Sequence, residues 1–141
     1  MSLDPKKVDD LVREYETTYA LELERLKTMA RELSAQFYWY SKILGEVSQH
    51  YQYARAKRKR ILASLVAKYK AEENSNAAAV ARAENTEDYR QAYDEEYGLQ
   101  GREKSGGRQC DAIKKVLERM GQDIADLRKQ QEYERFAERV K

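Results

Sequence analysis

The sequence predicts an all-α protein, a long antiparallel helical hairpin of coiled-coil type that works as an oligomer. Three observations predict it. Apolar residues recur at three- and four-residue steps along most of the chain. Pro5 is the only proline and glycine is scarce, so little interrupts a helix. Charged residues make up 37% of the sequence and mean hydropathy is strongly negative. That balance fits a thin apolar stripe with wide solvated faces better than a compact globule. A stripe of this kind is often completed by another copy of the chain, hence the expected homo-oligomer.

The 141 residues are enough for one domain, taken as residues 1–141. Asp4-Pro5 is a helix start, because Asp can cap free N–H groups and Pro is preset for the first helical position. The stripe then runs Val8, Val12, Tyr15, Tyr19, Leu23, Leu26, Ala30, Leu33, Phe37, Tyr40, Leu44, Val47, Tyr51, Ala54, Ile61 and Leu65, interrupted once by Arg58. This period predicts one helix over about 5–71, roughly 100 Å long at 1.5 Å per residue. Asn74-Ser75-Asn76 is a break. A short Ala-rich helix over about 77–84 follows. Asn85 then caps a second long helix over about 86–133, with acidic residues in its first turn. That helix carries Tyr89, Tyr93 and Tyr97, then Cys110, Ile113, Leu117, Met120, Ile124 and Leu127 at helical spacing. Between them lie Gly98, Gly101, Gly106 and Gly107. These glycines either break the helix into a loop or let it cross its neighbour closely; a continuous or slightly bent helix is favoured. The charged turns from Gln130 onward are expected to fray.

Catalysis finds little support. His50 is the only histidine and has no titratable partner at ligand spacing. The runs Glu72-Glu73 and Asp94-Glu95-Glu96 splay by about 100° per residue on a helix and do not converge on one atom. Gly106-Gly107 lacks the Lys-Ser/Thr of a phosphate loop. Cys110 is the only cysteine, so it has no disulfide partner within the chain and no metal-site spacing. A non-enzyme without cofactor or metal is expected. The cysteine usage suits a reducing cytoplasm, and no apolar run approaches the roughly 18 residues of a membrane span.

Net charge is only +2, but it is unevenly placed. Residues 47–71 hold 7 basic and no acidic side chains, whereas residues 72–97 hold 2 basic and 8 acidic. Arg55, Lys57, Arg58, Lys59 and Arg60 fall within two turns, and Lys68 and Lys70 follow. Clustered cations beside aromatics suit single-stranded nucleic acid, with cations on phosphates and rings on bases. Tyr38, Trp39 and Tyr53 lie off the apolar stripe and are candidate stacking residues, while Tyr40 and Tyr51 belong to the core. The alternative is that the acidic segment 84–96 folds against the tract and neutralises it. A structural coiled-coil adaptor or phage scaffold protein would follow. A membrane-surface helix is disfavoured, since no bulky apolar face is free.

The layout resembles the UvsY-type recombination mediators of tailed phages and their small helical relatives. The similar pieces are Trp39-Tyr40-Ser41-Lys42, the basic helix from Ala54 through Arg60, the helix start Asn85-Thr86-Glu87, and the stretches Asp111 to Lys114 and Met120 to Arg128. Residues 1–30 and the glycine cluster at 98–107 depart from it. The resemblance implies a homo-oligomer that binds single-stranded DNA. It also implies a role in loading a RecA-like recombinase onto DNA covered by single-strand-binding protein, in the host cytoplasm. Carried over, the DNA contact falls on Arg55, Lys57, Arg58, Lys59 and Arg60, with Lys68, Lys70 and Tyr53 beside them.

Overall fold

A computed structural model describes residues 3–140. It is all-helical, with four helices: α1 (Pro5–Thr17), α2 (Leu23–Lys70), α3 (Asn76–Glu84) and α4 (Glu87–Val140). No strand occurs among the described residues. The chain divides into two units. Unit 1 is Met1–Lys42 with Arg108–Lys141, and unit 2 is Ile43–Gly107.

The helix expected over 5–71 is two helices. Asp4 caps α1 as its residue type dictates, its side chain accepting from the Lys7 N–H at 3.1 Å. The helix stops at Thr17-Thr18. The Thr17 hydroxyl donates to the Arg13 carbonyl at 2.7 Å, and Thr18 turns to extended backbone at φ −90°, ψ 117°. Two β-branched residues with hydroxyls that compete for backbone groups are poor helix formers. The apolar spacing continued across them through Tyr15, Tyr19 and Leu23 and concealed the stop. Tyr19 is in fact fully exposed.

After the corner, unit 1 packs α1 against both long helices. The Asp4 N–H donates to Gln36 Oε1 of α2 at 2.8 Å. Arg25 of α2 grips Glu14 of α1 with two bonds of 2.7 and 2.8 Å, which hold the Glu14 carboxyl below its usual range. On the α4 side, the Tyr15 hydroxyl donates to Asp123 Oδ2 at 2.5 Å, and Arg119 pairs with Glu16 at 3.5 Å. Gln109 of α4 donates to the Tyr40 hydroxyl of α2 at 3.0 Å. The core between the three helices is built from Val8, Leu11, Leu26, Met29, Leu33, Ile113, Val116 and Met120, with Cys110 and Tyr40 at its margin.

Unit 2 is built differently. Its buried apolar residues are all alanines: Ala54, Ala79, Ala83 and Ala92. Alanine removes little area from water, so its helices approach closely but gain less from burial than unit 1. The larger side chains Val47, Ile61, Leu65 and Leu99 are half-buried.

Residues 71–75 form the turn, and Ser75 caps α3 by accepting from the Ala78 N–H at 3.1 Å. Asn76 is thus the first helical residue rather than the last of the break. Asn85 ends α3 instead of capping α4. The cap of α4 is Thr86, whose hydroxyl accepts from the Tyr89 N–H at 3.3 Å while its carbonyl accepts from Arg90. Thr and Asn are both good caps; here the Asn lies one residue too early. The stretch 98–107 is helix, and α4 runs on to Val140 rather than ending near 133. Of its glycines, Gly106 faces a neighbour: a Cβ there would lie 3.0 Å from Leu44 Cδ1. At Gly98, Gly101 and Gly107 a Cβ would meet nothing within 4 Å, so close packing within the chain does not account for them.

No helix among the described residues is long and apolar enough to cross a membrane.

Candidate nucleic-acid interface

The basic tract lies on the part of α2 that belongs to unit 2. Successive helix residues turn by about 100°. Taking the buried Ala54 as the inward direction, Arg58 falls about 40° away and also points inward. This explains why a cation interrupts the apolar stripe. Arg58 pairs with Glu96 of α4, and their side chains are only 20% and 13% exposed. The hydrogen bond to Glu96 raises the pKa of the guanidinium, with Tyr89 contributing. Lys57 pairs with Glu95 at 3.5 Å, in a bridge half open to solvent.

The acidic segment therefore does fold against the tract, but it answers two of the cations. Arg55, Lys59 and Arg60 are exposed and have no ion pair among the described residues, as do Lys68 and Lys70. Lys68 rests over the Tyr69 ring, 5.6 Å from its centroid. Arg82 of α3 covers the same ring at 4.1 Å and reaches Glu72 at 2.7 Å.

The helix turn also divides the tract sideways. Tyr53, Lys57 and Arg60 fall on one flank of α2, whereas Arg55 and Lys59, about 100° and 140° round from Ala54, fall on the other. The first flank lines an open groove of about 880 Å³ with His50 and, from α4, Asp94, Glu95, Gly98, Leu99 and Arg102. A smaller groove of about 420 Å³ shares its Lys57 and Glu95 and continues to Ile61, Ser64, Asp88 and Gln91. Acids line both grooves beside the cations. The five clustered cations thus do not form one continuous surface. One is turned inward, two stand above a groove of mixed charge, and two stand on the opposite flank.

That opposite flank carries residues outside the sites expected from the sequence. From Ala92, inward on α4, Tyr93 and Tyr97 lie about 100° and 140° round. The groove fixes which flanks of the two helices adjoin. Since Lys57 and Arg60 share it with Gly98 and Arg102, Arg55 and Lys59 fall on the same side of the helix pair as Tyr93 and Tyr97. Leu44 meets Gly106 and Arg58 meets Glu96, which sets Arg55 level with Tyr97 and Lys59 level with Tyr93. The tyrosines form a ladder. Tyr89 and Tyr93 have ring centroids 6.2 Å apart at 34°, and Tyr93 and Tyr97 are 6.3 Å apart and stacked at 11°. Tyr93 is 49% exposed and Tyr97 67%. The signal was present in the four-residue spacing of the tyrosines, but it passed for apolar stripe.

Of the expected stacking residues, Tyr53 is 64% exposed beside the groove, and Gln49 donates to its hydroxyl at 3.5 Å. Tyr38 and Trp39 belong to unit 1, where they pack edge-to-face with centroids 5.5 Å apart and Lys42 lies 5.2 Å from the Trp39 ring centroid. Tyr40 is buried, as its place on the stripe required, and burial is the main cause of its raised phenol pKa.

No protein-family model, curated protein or solved structure matches the chain.

Proposed function

We propose that the protein is a non-enzymatic single-stranded DNA-binding protein that works as a recombination mediator. In this reading it helps a RecA-like recombinase onto DNA covered by single-strand-binding protein. The observation that carries the binding reading is the set of exposed, unpaired cations Arg55, Lys59 and Arg60 on a stretch of α2 that contains no acid. An exposed cation with no counter-charge of its own is available to a phosphate. The mediator role rests on the sequence resemblance. The antiparallel hairpin and its assembly with other copies belong to the same proposal. Several weak tracts presented together bind one strand with high avidity.

Binding carried by phosphates falls with salt, by a slope of about −0.7 in log–log terms for each contact on a single strand. Fluorescence anisotropy of a labelled oligonucleotide over a salt series tests this. The expected outcome is a steep slope for the native chain and a clearly shallower one for the triple variant Arg55→Ala, Lys59→Ala, Arg60→Ala. Unchanged binding by that variant would place the contact elsewhere.

The second reading is a structural coiled-coil adaptor or scaffold protein. The pairs Lys57–Glu95 and Arg58–Glu96 favour it, because they neutralise part of the tract within the chain. It predicts no salt-dependent oligonucleotide binding at all.

A further inference from the structure

We infer that Tyr93 and Tyr97 are a stacking platform for unpaired bases, and that the strand lies on the flank they share with Arg55 and Lys59 rather than in the groove behind it. This rests on the single-strand-binding reading above and specifies how that site takes its ligand. Two kinds of contact are needed to hold a single strand without reading its sequence: cations along the phosphates and flat rings under the bases. The flank supplies both at one level. Arg55 stands level with Tyr97 and Lys59 with Tyr93, so each ring shares its level and its side with a cation of the neighbouring helix.

Two features separate this flank from the groove. Tyr93 and Tyr97 are near-parallel, 11° apart, and one helical turn from each other, so they offer ring faces of one orientation to bases that follow one another along a strand. Both are about half exposed or more, as Tyr53 is on the groove side, so their faces are open to a base. The charge also differs. Glu96 on this side is occupied by Arg58, and the flank continues to the exposed Lys104, about 120° round from Ala92. The groove on the other side holds Asp94 and Glu95 among its cations, and these repel a phosphate.

The test uses the full chain with labelled oligothymidine, and with an abasic oligodeoxynucleotide of the same length that keeps the phosphates and lacks the bases. Aromatic stacking is expected to favour oligothymidine by roughly tenfold or more. The double variant Tyr93→Ala, Tyr97→Ala is expected to lose that preference while keeping the salt dependence, and Tyr93→Phe, Tyr97→Phe to retain both. Circular dichroism and thermal melting check that the Ala variant remains folded. Gly98→Leu, which puts a bulky side chain into the groove from a position with open space around it, is expected to leave binding unchanged. Equal affinity of the native chain for both oligonucleotides overturns the platform and leaves DNA binding standing, as does an Ala variant that keeps the preference. Loss of binding in Gly98→Leu moves the strand to the groove. A native chain that binds neither oligonucleotide overturns the single-strand reading itself.

Discussion

Arg58 and Glu96 form the least exposed ion pair among the described residues, at 20% and 13% side-chain exposure. Every other pair has a partner at least half open to water or is otherwise more exposed, Lys57–Glu95 included. A charge drawn that far from solvent depends on its partner. With one removed, the other keeps its desolvation cost and loses the attraction that offset it. In a unit whose buried apolar side chains are alanines, this pair has few substitutes.

Glu96→Gln is therefore expected to destabilise the fold by about 2 kcal/mol, short of the cost in a fully buried site because some water still reaches the pair. Glu95→Gln, which breaks the open bridge to Lys57, is expected to cost less than about 1 kcal/mol. Urea denaturation followed by circular dichroism compares the two. Equal effects would mean that burial does not distinguish the pairs.

Tyr15 carries a pH signature. Burial first, then the hydrogen bond to Asp123 and the charge of that carboxylate, push its phenol up to about 12 from an ordinary value of 10. The folded state thus holds the proton more tightly than the unfolded chain. The associated stability is fully present below about pH 10 and is lost as pH rises through about 12. Alkaline unfolding should therefore be steep in that window, and Tyr15→Phe should flatten it while costing about 1 kcal/mol at neutral pH through the lost hydrogen bond. Absorbance titration of the phenolate, with melting measured across the same range, checks both parts.

The glycines of α4 should separate into two kinds. At Gly101 a Cβ meets open space, so Gly101→Ala is expected to stabilise the helix by about 0.5–1 kcal/mol. At Gly106 the added atom comes 3.0 Å from Leu44 Cδ1, and the side chain must shift. Gly106→Ala should gain less than Gly101→Ala, and Gly106→Val should destabilise. Thermal melts of the three variants check this order; a gain at Gly106→Ala equal to that at Gly101→Ala would mean that Leu44 yields at no cost.

Much of the fold was legible because helical spacing is strong and few breakers interrupt it. The stripe residues Leu26, Leu33, Ile113 and Met120 are all in the core, and the break at 74–76 is displaced by a residue or two. What the spacing could not reveal was the corner at Thr18. Apolar residues on either side kept the helical interval, and the signal lay in two threonine hydroxyls. The glycine cluster was ambiguous for a related reason. A glycine's cost in a helix is small enough for neighbouring turns to carry, so composition does not separate helix from loop. The basic tract was plain as a block of charge, but its division was not. Which cations turn inward depends on the phase of the helix against its neighbour. That phase is set by Ala54 and Ala92, two small residues that carry little signal. For the same reason the tyrosines of α4 passed as apolar stripe until Ala92, one position before Tyr93, marked the inward direction.

The corner at Thr18 also changes where this chain remains unsatisfied. An uninterrupted rod would have presented its stripe to other copies over its whole length. Instead the first thirteen helical residues return to close unit 1, which supplies its own third helix. Exposed apolar side chains are left at the opposite end of the sequence as well. From Arg128 to Val140 every residue of α4 is exposed, and Tyr133, Phe136 and Val140 stand in open solvent at 74%, 66% and 70%. Three to four turns of helix without a neighbour are marginal in water. If copies of the chain do assemble as proposed, these last turns are a second apolar surface open to them, far in sequence from the stripe that first suggested assembly.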